Sequence, residues 1–141
     1  MKKIAIVYWS GTGNTEVMAN AVLEGVQAAG AEGVLLTAAE FTPDLLGSFD
    51  AIAFGCPSMG VESLEDGEFE PMFQSCEPQL AGKKLALFGS YGWGDGEWMR
   101  NWEDQCRDDG AELVCQSVIC CEAPDDEAAE NCRKLGAALA A

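Results

Sequence analysis

The chain has 141 residues and a mass of 15.0 kDa, which suits one domain carrying one site, so residues 1–141 are expected to form a single domain. With 48% hydrophobic and 23% charged residues it reads as globular rather than disordered, and at this size a chain buries roughly 68–70% of its unfolded surface without help from disulfides or a structural metal. The 24 acidic residues against 8 basic ones, a net charge of -16, oppose binding to nucleic acid or an anionic membrane, and the absence of histidine excludes Ser-His and Cys-His nucleophilic mechanisms.

The first predicted element is a strand, Lys3–Tyr8, because its apolar run is too short for a membrane span and no small-residue cleavage site precedes Ser10. A helix is expected over Thr15–Ala29, where Met18, Val22 and Val26 share a face and Gly30 supplies the stop. Strands follow at Gly33–Thr37 and Ala51–Cys56, then a short helix around Pro71–Ser75 whose start is not marked. A strand at Leu85–Ser90, a helix at Glu97–Asp109, a strand at Glu112–Ile119 and a helix at Asp125–Ala140 complete the chain. Alternating strands and helices, with the first, third and fourth strands almost wholly apolar, predict an α/β protein with a doubly wound five-stranded parallel sheet in the order 2-1-3-4-5. A soluble, cytoplasmic monomer is expected. The seven cysteines are irregularly spaced and mostly lie in apolar segments, so they read as reduced packing residues, with no metal site.

In such a sheet ligands bind beyond the carboxyl ends of the strands near the switch in strand order. Three loops meet that edge. In Trp9-Ser10-Gly11-Thr12-Gly13-Asn14-Thr15 the two glycines let backbone N–H groups converge at a helix N-terminus, with hydroxyl and amide donors around them, which is the chemistry of a phosphate cradle. It has neither the lysine of a P-loop nor the spacing of a dinucleotide fingerprint; an ordinary capped turn is the simpler reading but leaves several of these residues unused. The second loop, Gly55-Cys56-Pro57-Ser58-Met59-Gly60-Val61-Glu62, lacks the Lys-Ser or Lys-Thr of a nucleotide-binding motif. The third, Gly89-Ser90-Tyr91-Gly92-Trp93-Gly94-Asp95-Gly96, sets aromatics between glycines and offers a flat π-face. Together they predict a phosphorylated planar ligand.

These loops resemble those of the flavodoxins, and the resemblance covers nearly the whole chain. It is carried by Tyr8 through Glu16, by Gly55-Cys56 with Met59-Gly60 and Glu62, and by Leu87 through Gly96. The likeness is to the short-chain, clostridial type, because Glu112–Ile119 reads as an uninterrupted fifth strand. The resemblance implies FMN, bound non-covalently, and a low-potential carrier that shuttles single electrons between redox proteins, cycling mainly between semiquinone and hydroquinone, rather than an enzyme. It implies that Ser10, Thr12, Asn14 and Thr15, on the Gly11 and Gly13 turn, hold the phosphate. Trp9 would lie beside the ribityl chain, and Met59 and Trp93 would cover the two faces of the isoalloxazine. Gly60 would turn its carbonyl to flavin N5–H, Glu62 would accept from N3–H, and Gly89 and Trp93 would meet the pyrimidine edge, with Ser90, Tyr91, Gly92 and Gly96 shaping that loop. Pro57 stands where some relatives carry a phosphate-binding serine, with Ser58 beside it, and Val61 stands where some carry an acid. No role is assigned to Cys120 through Pro124.

Partners implied by the resemblance are an NAD(P)H-dependent reductase, pyruvate oxidoreductase, hydrogenase or nitrogenase, approached by an acidic rim including Glu62, Glu65, Asp66, Asp95 and Glu97. None of the eight basic residues falls in the three loops, so an anionic reduced flavin is expected to have no cationic partner there. An FMN-dependent NAD(P)H or quinone reductase is the alternative, disfavoured because Trp93 over the flavin would obstruct hydride transfer. A phospho-acceptor receiver fails where Cys56-Pro57 and Ile119-Cys120 replace the aspartate and lysine it needs.

Overall fold

The computed structural model describes residues 1–11, 13–59, 63–92 and 94–141. Its strands are β1 (Lys3–Tyr8), β2 (Glu32–Thr37), β3 (Ala51–Gly55), β4 (Lys84–Tyr91), β5 (Glu112–Leu113) and β6 (Val118–Cys121), and its helices are α1 (Asn14–Ala28), α2 (Phe69–Cys76), α3 (Glu97–Asp108) and α4 (Asp126–Ala140). The sheet runs β2-β1-β3-β4-β5, with β6 also paired to β4, and every pairing is parallel.

Side-chain alternation divides the core into two layers. Val7, Ile52, Phe54, Leu85 and Leu87 face one way, onto Phe69 and Phe73 of α2 and Trp98 and Trp102 of α3. Ile4, Ile6, Ala53, Ala86 and Phe88 face the other, onto Met18, Val22 and Val26 of α1 and Cys132, Leu135 and Leu139 of α4. Helices therefore cover both faces, as the nearly continuous apolar runs of β1, β3 and β4 require. No helix among the described residues is long and apolar enough to cross a membrane.

Two expectations need correction. The fifth strand is interrupted: Lys84 and Leu85 pair with Glu112 and Leu113, whereas Phe88 through Tyr91 pair with Val118 through Cys121. Residues 114–117 thus stand opposite Ala86 and Leu87 alone, and the excess is taken up in a bulge anchored by Val114 N–H to the Leu85 carbonyl at 3.0 Å and by the Ser117 hydroxyl to Glu103 at 2.6 Å. A bulge at a sheet edge interrupts the row of open backbone groups that would otherwise template pairing. Helix α2 begins at Phe69, ahead of Pro71, which is tolerated because a first-turn N–H lacks an intrahelical partner anyway.

Helices α1 and α4 meet more closely than apolar periodicity alone implies. A Cβ on Gly25 would lie 1.9 Å from the Arg133 carbonyl oxygen, and one on Gly136 would lie 2.2 Å from that of Val22. The two backbones cross in contact at these positions.

Candidate functional site

The first loop leaves β1 with Trp9 N–H bonded to the Gly55 carbonyl of β3 at 3.0 Å. It enters α1 through Gly13, whose φ of 98° is the left-handed conformation that glycine adopts without a Cβ penalty. The Ser10 hydroxyl turns back to accept from the N–H groups of Gly13 at 3.1 Å and Glu16 at 3.3 Å. An oxygen thus already sits where an anion would meet the positive end of α1. Thr15 is buried and shares a hydrogen bond with the Ser90 hydroxyl at 3.1 Å, which ties the first loop to the end of β4.

The second loop leaves β3 with Cys56 N–H on the Phe88 carbonyl, and Ser58 N–H on that of Ser90 at 2.9 Å. Met59 and Ser63 exchange backbone hydrogen bonds at 2.8 and 2.9 Å, and Met59 remains 37% exposed. Beyond them Glu65 folds inward. The residue is 8% exposed, and its carboxylate accepts from the N–H groups of Gly67 at 2.7 Å and of Glu68 and Phe69 at 2.8 Å, capping the start of α2. Desolvation pushes this carboxyl up, but the three backbone donors outweigh it and hold Glu65 below the usual carboxylate range.

In the third loop, Tyr91 packs on Trp98 with ring centroids 5.5 Å apart, and Arg100 reaches back from α3 to the Asp95 carboxylate at 3.0 Å. No basic residue lies in the three loops themselves, but the first turn of α3 brings Arg100 to the Asp95 carboxylate on the outer side of the third loop. Glu65, placed on the acidic rim by sequence, is buried instead; Asp66, Asp95 and Glu97 are exposed.

The three loops enclose a cavity of about 290 Å³. Trp9, Ser10, Gly11, Asn14 and Thr15 line it from the first loop, Pro57, Ser58 and Met59 from the second, and Ser90, Tyr91 and Gly92 from the third. Gly13 lines an adjoining cavity, Gly89 is packed in β4 where a Cβ would lie 2.2 Å from the Cys56 carbonyl oxygen, and Gly96 caps α3 against Ile119. Thr12, Gly60, Glu62 and Trp93 lie outside the described residues, as does Val61. One lining residue had no assigned role: Glu122. Pairing of β6 with β4 carries it there, with Glu122 N–H on the Tyr91 carbonyl at 2.7 Å and a φ of 61° that is uncommon outside glycine. Its local sequence, Cys-Cys-Glu-Ala-Pro, contains no residue type that announces a left-handed turn.

One end of the cavity presents a helix N-terminus with hydroxyl and amide side chains, and the walls are Trp9, Pro57, Met59 and Tyr91. That donor set fits a planar, phosphorylated molecule: backbone N–H groups for the anion and apolar surface for a ring. The flavodoxin family model matches residues 6–136. This chain belongs to the flavodoxin family. The flavodoxin of Megasphaera elsdenii is 47% identical over 137 residues, covering 97% of this chain and 98% of that one, and the flavodoxin of Clostridium beijerinckii is 42% identical over 135 residues, covering 96% and 97%. The solution structure of two-electron reduced M. elsdenii flavodoxin superposes with a TM-score of 0.90 at 48% identity, covering 97% of this chain and 98% of that one. The chain is thus an FMN-binding electron carrier similar to flavodoxins of the clostridial type, and the flavodoxin-like fold expected from the strand order is the one observed.

The cysteines take no visible part in this chemistry. None of the seven is in a disulfide, and burial pushes the Cys76 and Cys120 thiols up to about 11 and those of Cys106 and Cys132 up to about 12. Such groups are protonated at neutral pH and poor nucleophiles.

Proposed function

We propose that residues 1–141 form one non-enzymatic domain that carries single electrons at low potential between redox proteins, working mainly between the semiquinone and hydroquinone levels of FMN. The observation that carries this reading is the 290 Å³ cavity, with the α1 N-terminus at one end and apolar walls along its length. FMN supplies the one-electron chemistry when bound. Ser10, Asn14 and Thr15, with Thr12, would hold its phosphate on the Gly11 and Gly13 turn, while Met59 and Trp93 would cover its rings. Trp9, Pro57, Ser58, Ser90, Tyr91 and Gly92 complete the wall, and Gly89 and Gly96 set the third loop behind it. Gly60 would offer its carbonyl to flavin N5–H, and Glu62 would accept from N3–H.

Charge supports the low potential. Among the described lining residues there is no lysine or arginine, whereas Glu122 is an acid. One carboxylate at about 10 Å and an effective dielectric of about 20 costs an added negative charge about 1.7 kcal/mol. For a one-electron step that lowers the potential by about 70 mV. The partners are redox proteins with basic surfaces, of the kinds represented by an NAD(P)H-dependent reductase, pyruvate oxidoreductase, hydrogenase or nitrogenase. The protein works as a cytoplasmic monomer and engages neither nucleic acid nor membrane.

Stepwise anaerobic reduction of the FMN-loaded protein, followed by visible spectroscopy, tests the reading. Two separated one-electron steps with a blue intermediate are expected, and Gly60→Ala should diminish that intermediate. A direct two-electron reduction, with steady NAD(P)H oxidation in the absence of a partner, would instead indicate a reductase. Failure of the apoprotein to take up FMN would refute the site.

A further inference from the structure

Trp9 is held at both ends. Its backbone N–H is fixed to the Gly55 carbonyl at 3.0 Å, and its indole Nε1–H donates to the Glu68 carboxylate at 3.1 Å. Between these anchors the ring lies against Gly11, where a Cβ would come within 3.0 Å of the ring edge. Beside the 290 Å³ cavity lies a second one of about 520 Å³, lined among others by Tyr8, Glu16, Thr37 and Glu68. Trp9, Ser10 and Gly11 line both, so the indole and the backbone beneath it form the wall between them. The second cavity leaves space into which an unrestrained indole could rotate. Glu68 itself is set in place from the second loop, because its N–H donates to the buried Glu65 carboxylate at 2.8 Å at the start of α2.

We propose that Glu68 is a positioning residue for the cofactor: through its hydrogen bond to the Trp9 indole it holds the wall of the phosphate end closed, and so links the loop after β3 to the loop after β1. This rests on the reading of the 290 Å³ cavity as the FMN site. Glu68 does not act by attracting the ligand, since a carboxylate near a phosphate is repulsive; it acts by confining Trp9. Without the bond the indole must be confined again on binding, so a bond worth about 1–1.4 kcal/mol corresponds to at most about a 5- to 10-fold weaker affinity.

The test compares Glu68→Gln, which keeps an acceptor of the same reach, with Glu68→Ser, which is too short to meet the indole but is a favourable helix N-cap. Both remove the charge, so their difference isolates the hydrogen bond. Titration of each apoprotein with FMN should give a dissociation constant within about twofold of the parent for Glu68→Gln and up to about 5- to 10-fold higher for Glu68→Ser. In a Trp9→Phe background, which lacks the indole N–H, the two Glu68 variants should bind FMN equally. Without FMN, the Trp9 contribution to fluorescence anisotropy, taken as the difference from the matching Trp9→Phe protein, should fall in Glu68→Ser and not in Glu68→Gln. Equal affinities of the two variants with Trp9 present, the same gap between them in both backgrounds, or unchanged anisotropy would each overturn the proposal while leaving the FMN site intact. Absence of FMN binding by the parent would overturn the site and the proposal together.

Discussion

The carboxylate of Glu65 illustrates how one side chain serves the site without touching its cavity. Three backbone N–H groups converge on it, and two of them, those of Glu68 and Phe69, are donors that the start of α2 cannot satisfy internally. Because its folded-state carboxyl lies below the ordinary range, its contribution to stability is present at neutral pH and is lost as pH falls through the depressed value. Glu65→Gln keeps one acceptor oxygen and loses the charge, so it should cost about 1–3 kcal/mol at pH 7. Thermal unfolding of both proteins between pH 7 and pH 3 checks this, because the difference in Tm should shrink toward the acid end. A constant difference would mean that the carboxylate is not charged in the folded state. Nothing in the sequence Glu-Asp-Gly-Glu-Phe marks Glu65 as buried: glutamate is normally a surface residue, and although its three donors lie only two to four residues further on, they converge on it only once this segment turns into α2 and packs against the core. Glu122 was hidden for a related reason, since its place in the wall depends on the pairing of β6 with β4.

At the scale of elements, the sheet order was legible because β1, β3 and β4 are apolar on both faces and the intervening segments have helical periodicity. The interruption of the fifth strand was not, since Val-Cys-Gln-Ser has no breaker residue and the bulge exists only as a mismatch of register against β4. The crossing of α1 and α4 was equally silent. Glycines within helices ordinarily weaken them, and only the opposing carbonyls of Arg133 and Val22 show why they stand at 25 and 136. Gly136→Ala should therefore destabilise the protein, although alanine is the better helix former, by about 1–3 kcal/mol of overpacking. Chemical denaturation of the apoprotein reads this directly, and a stabilising effect would show that the helices separate without cost.

For the whole molecule, the net charge of -16 governs encounter rather than fold. Electron transfer to a partner with a basic face should slow as salt rises, since the Debye length shrinks from about 10 Å at 0.1 M to about 3 Å at 1 M. Stopped-flow measurement of the bimolecular rate against ionic strength tests this, and a rate independent of salt would show that the acidic surface is not the docking face. Composition and periodicity by themselves determined the α/β class, the two-sided core and the three loops at the carboxyl edge, because these follow from local alternation and from backbone freedom at glycine. The tertiary structure alone decided which carboxylates are buried, which cation reaches the third loop, where the helices touch and what confines Trp9. Each of those depends on groups far apart in the chain, or on the turn of a helix, and becomes an interaction only when folding brings donor and acceptor within a few ångströms.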